Sequence, residues 1–326
     1  MFTSTKTING RKYKYLEHTF RIGSKVKKVS FYIGKDLQGF NLINKKSIKK
    51  IVDLRVNYIT KQHSSKFFTY GIQIRNLEEQ RTQFQILSRI IPKKEKQKIM
   101  DEFLRTFIVN SMAMEGGTIS YEIAKAIDEK KKIRTKNINE LDIPLYIQLK
   151  KAYKKLIKSQ LRYPKQIRDL HKTIYKGIYP FAGKFREKNV TFGDLNKLAQ
   201  TTDFKKIGKG YQQALKRFYR AKGRIYDFER VVRLHADIQE VHGFEDGNSR
   251  LARLIMIYQL LQLGYSPFLV KAKQSKAYRR ALVRAINDND NTSLLKFFYS
   301  NSRNTFLRFW LPVFEEKIKS NSENYK

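Results

Sequence analysis

The chain has 326 residues, no cysteine and a formal charge of +39 from 68 Lys/Arg against 29 Asp/Glu. Its 41% apolar and 13% aromatic content is that of a globular protein with length for one large domain or two smaller ones. Disulfides and cysteine-ligated zinc are excluded, no apolar run approaches the ~18 residues of a membrane-spanning helix, and MFTSTKTINGRKYKY at the N-terminus lacks the apolar core of a secretory signal.

A cytoplasmic location without membrane contact is therefore expected, in a reducing compartment. The positive charge is spread along the chain: residues 1–100 hold 23 Lys/Arg against 6 Asp/Glu. Such a field attracts nucleic acid, anionic lipid or acidic protein, or it reflects only a coding bias toward Lys, Ile and Asn.

In chain order, residues 11–35 read as strands, because apolar and aromatic residues alternate with basic ones and Gly23-Ser24 supplies a turn. The outward face of this small antiparallel sheet carries Arg11, Lys14, Arg21, Lys25, Lys27 and Lys28. It reads first as a packing hairpin with a solvated basic face, and second as a two-stranded ribbon for a nucleic-acid backbone. Residues 42–70 predict one or two helices, 76–91 another that Pro92 ends, and from about 95 onward the pattern is almost entirely helical.

Two predicted helices, 228–240 and 249–263, flank the segment HGFEDGN. Two glycines free the backbone there, and Asn248 or Ser249 is placed to cap the second helix. The first N–H groups of a helix lack internal partners and carry partial positive charge, so a phosphate fits at such an end. Gly247 permits close approach. Arg250 and Arg253, three residues apart, project from one side of the first turn and suit a polyphosphate. Asp246 is a single carboxylate beside that site, the usual protein contribution to phosphate-bound Mg²⁺. His242 can take a proton from an attacking hydroxyl. Phe244 points into the core and anchors the loop. His171 and His235 lie on helical stripes and read as structural.

HGFEDGNSRLAR resembles the signature of the Fic family, His-x-Phe-x-Asp/Glu-Gly-Asn-Gly-Arg-x-x-Arg, and LHKTIYKGIYPFAGKFREKNVTF (170–192) is similar to that family's helix, Ala-Gly-Lys-x-Arg turn and flap. The likeness covers about 100–300. It implies a mainly α fold: a Fic-type helical core with a small β-hairpin flap, here preceded by the small basic β-containing region. It also implies transfer of AMP from ATP, with Mg²⁺, to a Ser, Thr or Tyr hydroxyl of a protein. By position, His242 would be the general base and Asp246 the Mg²⁺ ligand. Gly247, Asn248 and Ser249 would form the anion hole, Arg250 and Arg253 would bind β- and γ-phosphate oxygens, and Tyr278 would line the adenine pocket. Asn189, Val190, Thr191 and Phe192 match the flap that docks the target segment.

Two positions depart from the family pattern. Gly243 replaces a proline that many members carry, which is expected only to loosen the loop. Ser249 replaces the second glycine of Gly-Asn-Gly and crowds the phosphate path, so another donor, phosphate transfer, AMP removal or a weakened core in a nucleic-acid-binding regulator are the alternatives.

Upstream, NSMAMEGGTIS closes a helix. Ser111 and Glu115 share a face at i, i+4, and Gly116-Gly117 stop the helix. A glutamate in the last turn opposes the helix dipole, which a tertiary cation would offset. Ser-x-x-x-Glu-Gly resembles the inhibitory-helix motif of the Fic class whose helix precedes the core, and by that resemblance Glu115 pairs with Arg253 and withdraws it from ATP. The expected division is a basic region 1–95 with nucleic acid or another partner as its contact, a Fic domain 96–300 with the inhibitory helix at about 101–116, and a C-terminal helical extension 301–326. A homodimer is compatible with the resemblance.

Overall fold

The computed structural model describes residues 2–22, 25–34, 40–62, 71–133, 137–194 and 197–323. Strands β1 (Phe2–Ile8), β2 (Arg11–Ile22) and β3 (Lys25–Gly34) form an antiparallel sheet in the order β1-β2-β3. Three strands replace the expected two. The missed β1 had a signal in Asn9-Gly10, where both residues take positive φ (49° and 74°), as a tight two-residue hairpin turn requires. The Gly23-Ser24 turn lies outside the described residues. One face of the sheet packs Phe20 and Val29 on Ile51. Glu17, buried on the other face, pairs with Lys28 at 2.5 Å and Lys6 at 3.4 Å. Arg11, Lys14, Lys25, Lys27 and Lys28 are exposed, but they do not share one outer face as expected: Lys25 and Lys27 lie on the side of Val29, and Lys28 on the side of Glu17.

The rest is helical: α1 (Phe40–Gln62), α2 (Gly71–Ile90), α3 (Lys93–Ala113), α4 (Tyr121–Asp128), α5 (Asp142–Leu156), α6 (Pro164–Tyr175), α7 (Ile207–Arg220), α8 (Asp227–Val241), α9 (Asn248–Gln262), α10 (Ser275–Asn287), α11 (Thr292–Thr305) and α12 (Leu311–Glu323). A two-stranded hairpin, β4 (Thr191–Asp194) and β5 (Lys197–Gln200), interrupts them. The antiparallel pair α8–α9 forms the centre. Almost every residue of α9 from Asn248 to Leu260 is buried, which is why its sequence is apolar all round and not striped. One continuous core runs from Ile48 to Ile318. Helices α1 and α2 therefore belong to the helical body, and only the N-terminal sheet stands outside that core. Helix α3 crosses the expected boundary at 95 and α11 the one at 300. No described helix is long and apolar enough to cross a membrane.

Candidate active site

Helix α8 ends at His242, whose φ of 44° and ψ of 50° place it in the left-handed region. The chain turns there, passes through 243–246, and enters α9 from Gly247 (φ 83°). A Cβ at Gly247 would lie 2.2 Å from the Tyr175 hydroxyl, so close approach as well as conformation requires glycine. Gly247 is itself the N-cap, not Asn248 or Ser249. The Asn248 side chain reaches backward instead: Nδ2 donates to the Phe244 carbonyl at 2.7 Å and Oδ1 accepts the Phe244 N–H at 3.0 Å. Asn248 thus closes the loop with its side chain. Its main-chain N–H, with those of Ser249 and Arg250, precedes the first intrahelical bond, from Leu251 N–H to the Gly247 carbonyl.

Phe244 is fully buried and stacks on the His171 ring at 3.7 Å with an interplanar angle of 2°. His171 receives the Gly183 N–H on Nδ1 at 2.9 Å and donates from Nε2 to the Asp246 carbonyl at 3.0 Å, which fixes its tautomer. Burial holds it down at about 4 and therefore neutral. His171 is structural, as its stripe implied, and it orients the loop.

The Asp246 carboxylate takes the Gly247 N–H at 2.6 Å on one oxygen and Arg250 Nη2 at 2.7 Å on the other, and is about half exposed (48%). Arg250 lies beside the Tyr175 ring at 5.5 Å. Arg253 is 1% exposed and held by the 111–115 segment: Nε donates to Ser111 Oγ at 2.8 Å, Nη2 to the Ser111 carbonyl at 2.8 Å and to Glu115 Oε1 at 3.0 Å. Ser111 and Glu115 therefore meet Arg253 as expected. The helix itself runs 93–113 and not 101–116, so Glu115 sits in the turn after it, just before Gly116 at φ 86°. Three buried polar groups here have no hydrogen-bond partner among the described residues: Arg250 Nε, Arg253 Nη1 and the Tyr175 hydroxyl.

His242 Nδ1 lies 3.2 Å from the Gln239 carbonyl. A carbonyl only accepts, so Nδ1 carries the proton and Nε2 keeps its lone pair. Burial pushes the imidazole down to about 4, with the nearby Arg186 charge acting in the same direction. The ring stacks against Phe192 of the flap at 4.6 Å.

Arg186 is the arginine of the Ala-Gly-Lys-x-Arg turn, to which sequence reasoning assigned no role of its own. It is 3% exposed and pairs with no carboxylate among the described residues. Its Nε donates to the His242 carbonyl at 2.7 Å, its other nitrogens to Lys188, Thr201 Oγ1 and Thr202, and its own N–H to the Gly243 carbonyl. A cation is thereby fixed at the C-terminal end of α8, where carbonyls lack helical partners, and both sides of the flap are tied to the loop. The turn motif was the local signal for this arginine, but it does not reveal that the side chain is buried against the loop.

The flap residues fall together. Asn189 accepts the Phe204 N–H at 3.0 Å, Thr201 donates to the Val190 carbonyl, and Thr191 and Phe192 open β4. The Asn287 side chain seals the outer edge of β5, accepting from Gln200 N–H at 3.3 Å and donating to the Leu198 carbonyl at 2.8 Å. Given the register Phe192↔Ala199, this leaves the N–H and carbonyl of Thr191 and Gly193 directed away from β5, on an unsealed strand edge.

Tyr278 departs from its expected place. It is 1% exposed, its hydroxyl lies 2.8 Å from His235 Nε2 and accepts from Gln239 at 2.9 Å, and its ring sits 6.0 Å from the Arg253 guanidinium. It backs Arg253 from the core. Gly243 is likewise no loosened proline: its N–H donates to the Tyr211 hydroxyl at 3.1 Å, and a Cβ would come within 2.6 Å of that ring. Tyr211 fills the space a larger residue would need.

A model of the Fic/DOC family matches residues 161–260, which contain the flap, the loop and most of α9. The chain carries a Fic/DOC domain over those residues. It is 24% identical over 208 residues to the protein adenylyltransferase Fic of Drosophila willistoni, covering 62% of this chain and 41% of that protein, and equally identical to its Drosophila persimilis counterpart. The chain thus spans about two-fifths of the length of the curated relatives it matches. Its fold is similar to a Fic domain-containing signalling protein from Bacteroides thetaiotaomicron (TM-score 0.63, 17% identity, 77% of this chain and 98% of that one). It is also similar to a Fic family protein from Desulfovibrio desulfuricans G20 (TM-score 0.61, 18% identity, 79% and 78%) and to Fic-1 from C. elegans (0.61, 18%, 79% and 76%).

Proposed function

We infer that this Fic-domain protein transfers AMP from ATP to a hydroxyl side chain of a target protein, with Glu115 as an internal brake. The observation carrying this reading is the state of Arg253. Two of its nitrogens are held by Ser111 and Glu115, and the third is buried without a partner beside a helix N-terminus that offers free N–H groups. A buried unsatisfied donor costs about 1–3 kcal/mol, and an anionic phosphate group at α9 offsets that cost.

In the reaction, His242 Nε2 takes the proton of the target hydroxyl. The hydroxyl oxygen bonds to the α-phosphorus, the bond from that phosphorus to the bridging oxygen breaks, and pyrophosphate leaves. The Gly247–Arg250 segment and Arg250 bind the phosphate charge, which positions the chain and neutralises it. Arg253 joins them when Glu115 releases it. Among the described residues no group of three acidic, histidine or cysteine side chains forms a metal cage. The half-exposed Asp246 carboxylate fits Mg²⁺ that arrives on phosphate oxygens, where the cation would neutralise charge on the α- and β-phosphates. The open β4 edge at Thr191 and Gly193 suits main-chain pairing with the segment that bears the target hydroxyl.

A second reading rests on Ser249. It is half-buried in the first turn of α9, where its Cβ and hydroxyl narrow the phosphate path, so a different donor or pose is the competing outcome. Incubation with α-labelled and γ-labelled ATP and Mg²⁺ separates the two. AMP transfer puts α-label alone on protein and needs His242. γ-label on protein would replace it with phosphate transfer.

A further inference from the structure

The far ends of α8 and α9 border a second concavity of about 1610 Å³. Each helix has 15 residues, so the two sites lie about 22 Å apart along the bundle. Nine Lys/Arg and three Asp/Glu line this cleft. Two of the three acids are already matched, and the third, Asp101 on α3, is half-buried and enters no ion pair among the described residues. Glu78 is fully buried and accepts from the Tyr226 and Tyr265 hydroxyls at 2.9 Å and from Arg81 at 3.3 Å, and Asp227 holds Arg230 at 2.5 Å. The rim differs. Lys93 at the start of α3, Lys154 and Lys158 at the end of α5, and Lys222 in the α7–α8 turn are exposed and enter no ion pair among the described residues. Three elements far apart in sequence thus bring unpaired ammonium groups to the lining of one groove.

We propose that this cleft binds the sugar-phosphate backbone of a single-stranded nucleic acid. Its volume exceeds the ~300–1,000 Å³ of a small-ligand pocket. Of its wall aromatics Phe20, Phe84, Tyr153 and Tyr226 are buried and Tyr58 is half-buried, which leaves little ring face for bases to stack on, so recognition is mainly electrostatic and indifferent to sequence. An acidic peptide is served by arginine forks, whereas the arginines of the walls are engaged: Arg55 with Thr82 and Gln85, Arg81 with Glu78 and the Leu263 carbonyl, Arg89 with the Thr19 carbonyl. The free cations are lysines, point charges suited to successive phosphates. A groove lined by such cations takes one strand, where a flat face would seat a duplex.

The test is fluorescence anisotropy of the full chain with labelled single-stranded DNA and RNA of about 20 nucleotides, between roughly 50 and 200 mM salt. Combined Lys154→Ala, Lys158→Ala and Lys222→Ala should weaken binding at least about tenfold and flatten the log–log salt slope by about 2, since each lost phosphate contact contributes ~0.7. All three positions are exposed, and an unchanged thermal melt checks the fold. The same charge change on the sheet, Lys12→Ala, Lys14→Ala and Lys25→Ala, should alter binding less than about threefold and serves as the control. Equal loss in both triple variants would reduce the effect to net charge and overturn the proposal. So would absence of binding at low salt, or equal competition by a polyglutamate of matched charge, which would transfer the cleft to an acidic protein partner. RNA and DNA binding alike support the proposal, and their ratio identifies the strand.

Discussion

The two ends of the α8–α9 pair are built on opposite electrostatic principles. At the loop end, charges are assigned. Asp246 holds Arg250, Glu115 and Ser111 hold Arg253, and Arg186 is enclosed by carbonyl and hydroxyl oxygens. At the other end, the buried charges are matched and the exposed lysines are left unpaired around an open groove. The first arrangement fixes atoms to fractions of an ångström, as transfer chemistry needs. The second sets a field and no geometry, as sequence-indifferent binding needs. On the two proposals made above, the large positive charge of the chain serves two separate uses.

The comparison predicts separable losses. His242→Ala should lower protein labelling by about 10²–10⁴-fold, the contribution of a positioned base, and leave nucleic-acid binding untouched; a parallel loss of both would mean the variant had unfolded the bundle. Next in size, Arg186→Met should cost about 10²-fold in kcat with ATP affinity little changed, because the flap and His242 lose their common tether without losing a phosphate contact. A change confined to KM would instead place Arg186 in nucleotide binding.

The smallest effect concerns acid. His171 and His235 are held at about 4 and about 3 by burial, against 6.5 for a free imidazole. The unfolded chain therefore binds protons before the folded one does, and stability present above about pH 6.5 is lost progressively as pH falls toward 4, by up to ~1.4 kcal/mol per pH unit for each ring. Urea midpoints across that range read the slope. His242, held near 4 as well, should keep the transfer rate level between pH 7 and about 5.

The sequence made the loop end legible because its chemistry is contiguous. Base, carboxylate, anion hole and both arginines lie within twelve residues, and helix ends are local events. Ser111 and Glu115 were reachable only through resemblance, since Arg253 lies 138 residues beyond Glu115. The roles of Arg186, Tyr175 and Tyr211 were not legible: they come from burial against a loop that sequence spacing cannot bring near. Tyr278 was misplaced because its position along α10 does not reveal that its hydroxyl faces His235 and Gln239. The expected division at 95 failed for a similar reason, as α1 and α2 are basic in composition yet share the core that continues to Ile318. The groove at the far end was invisible, being assembled from the start of α3, the end of α5 and the α7–α8 turn.

The account turns on whether Glu115 withholds Arg253 from a nucleotide that this site uses for AMP transfer. Incubating wild type and Glu115→Gly with α-labelled ATP and Mg²⁺ tests this most directly, with His242→Ala added to the second variant as a blank. The account predicts at least about tenfold more α-label on protein for Glu115→Gly, the equivalent of one restored ~1.4 kcal/mol contact, and none in the double variant. Labelling that stays level or falls in a folded Glu115→Gly protein would contradict it.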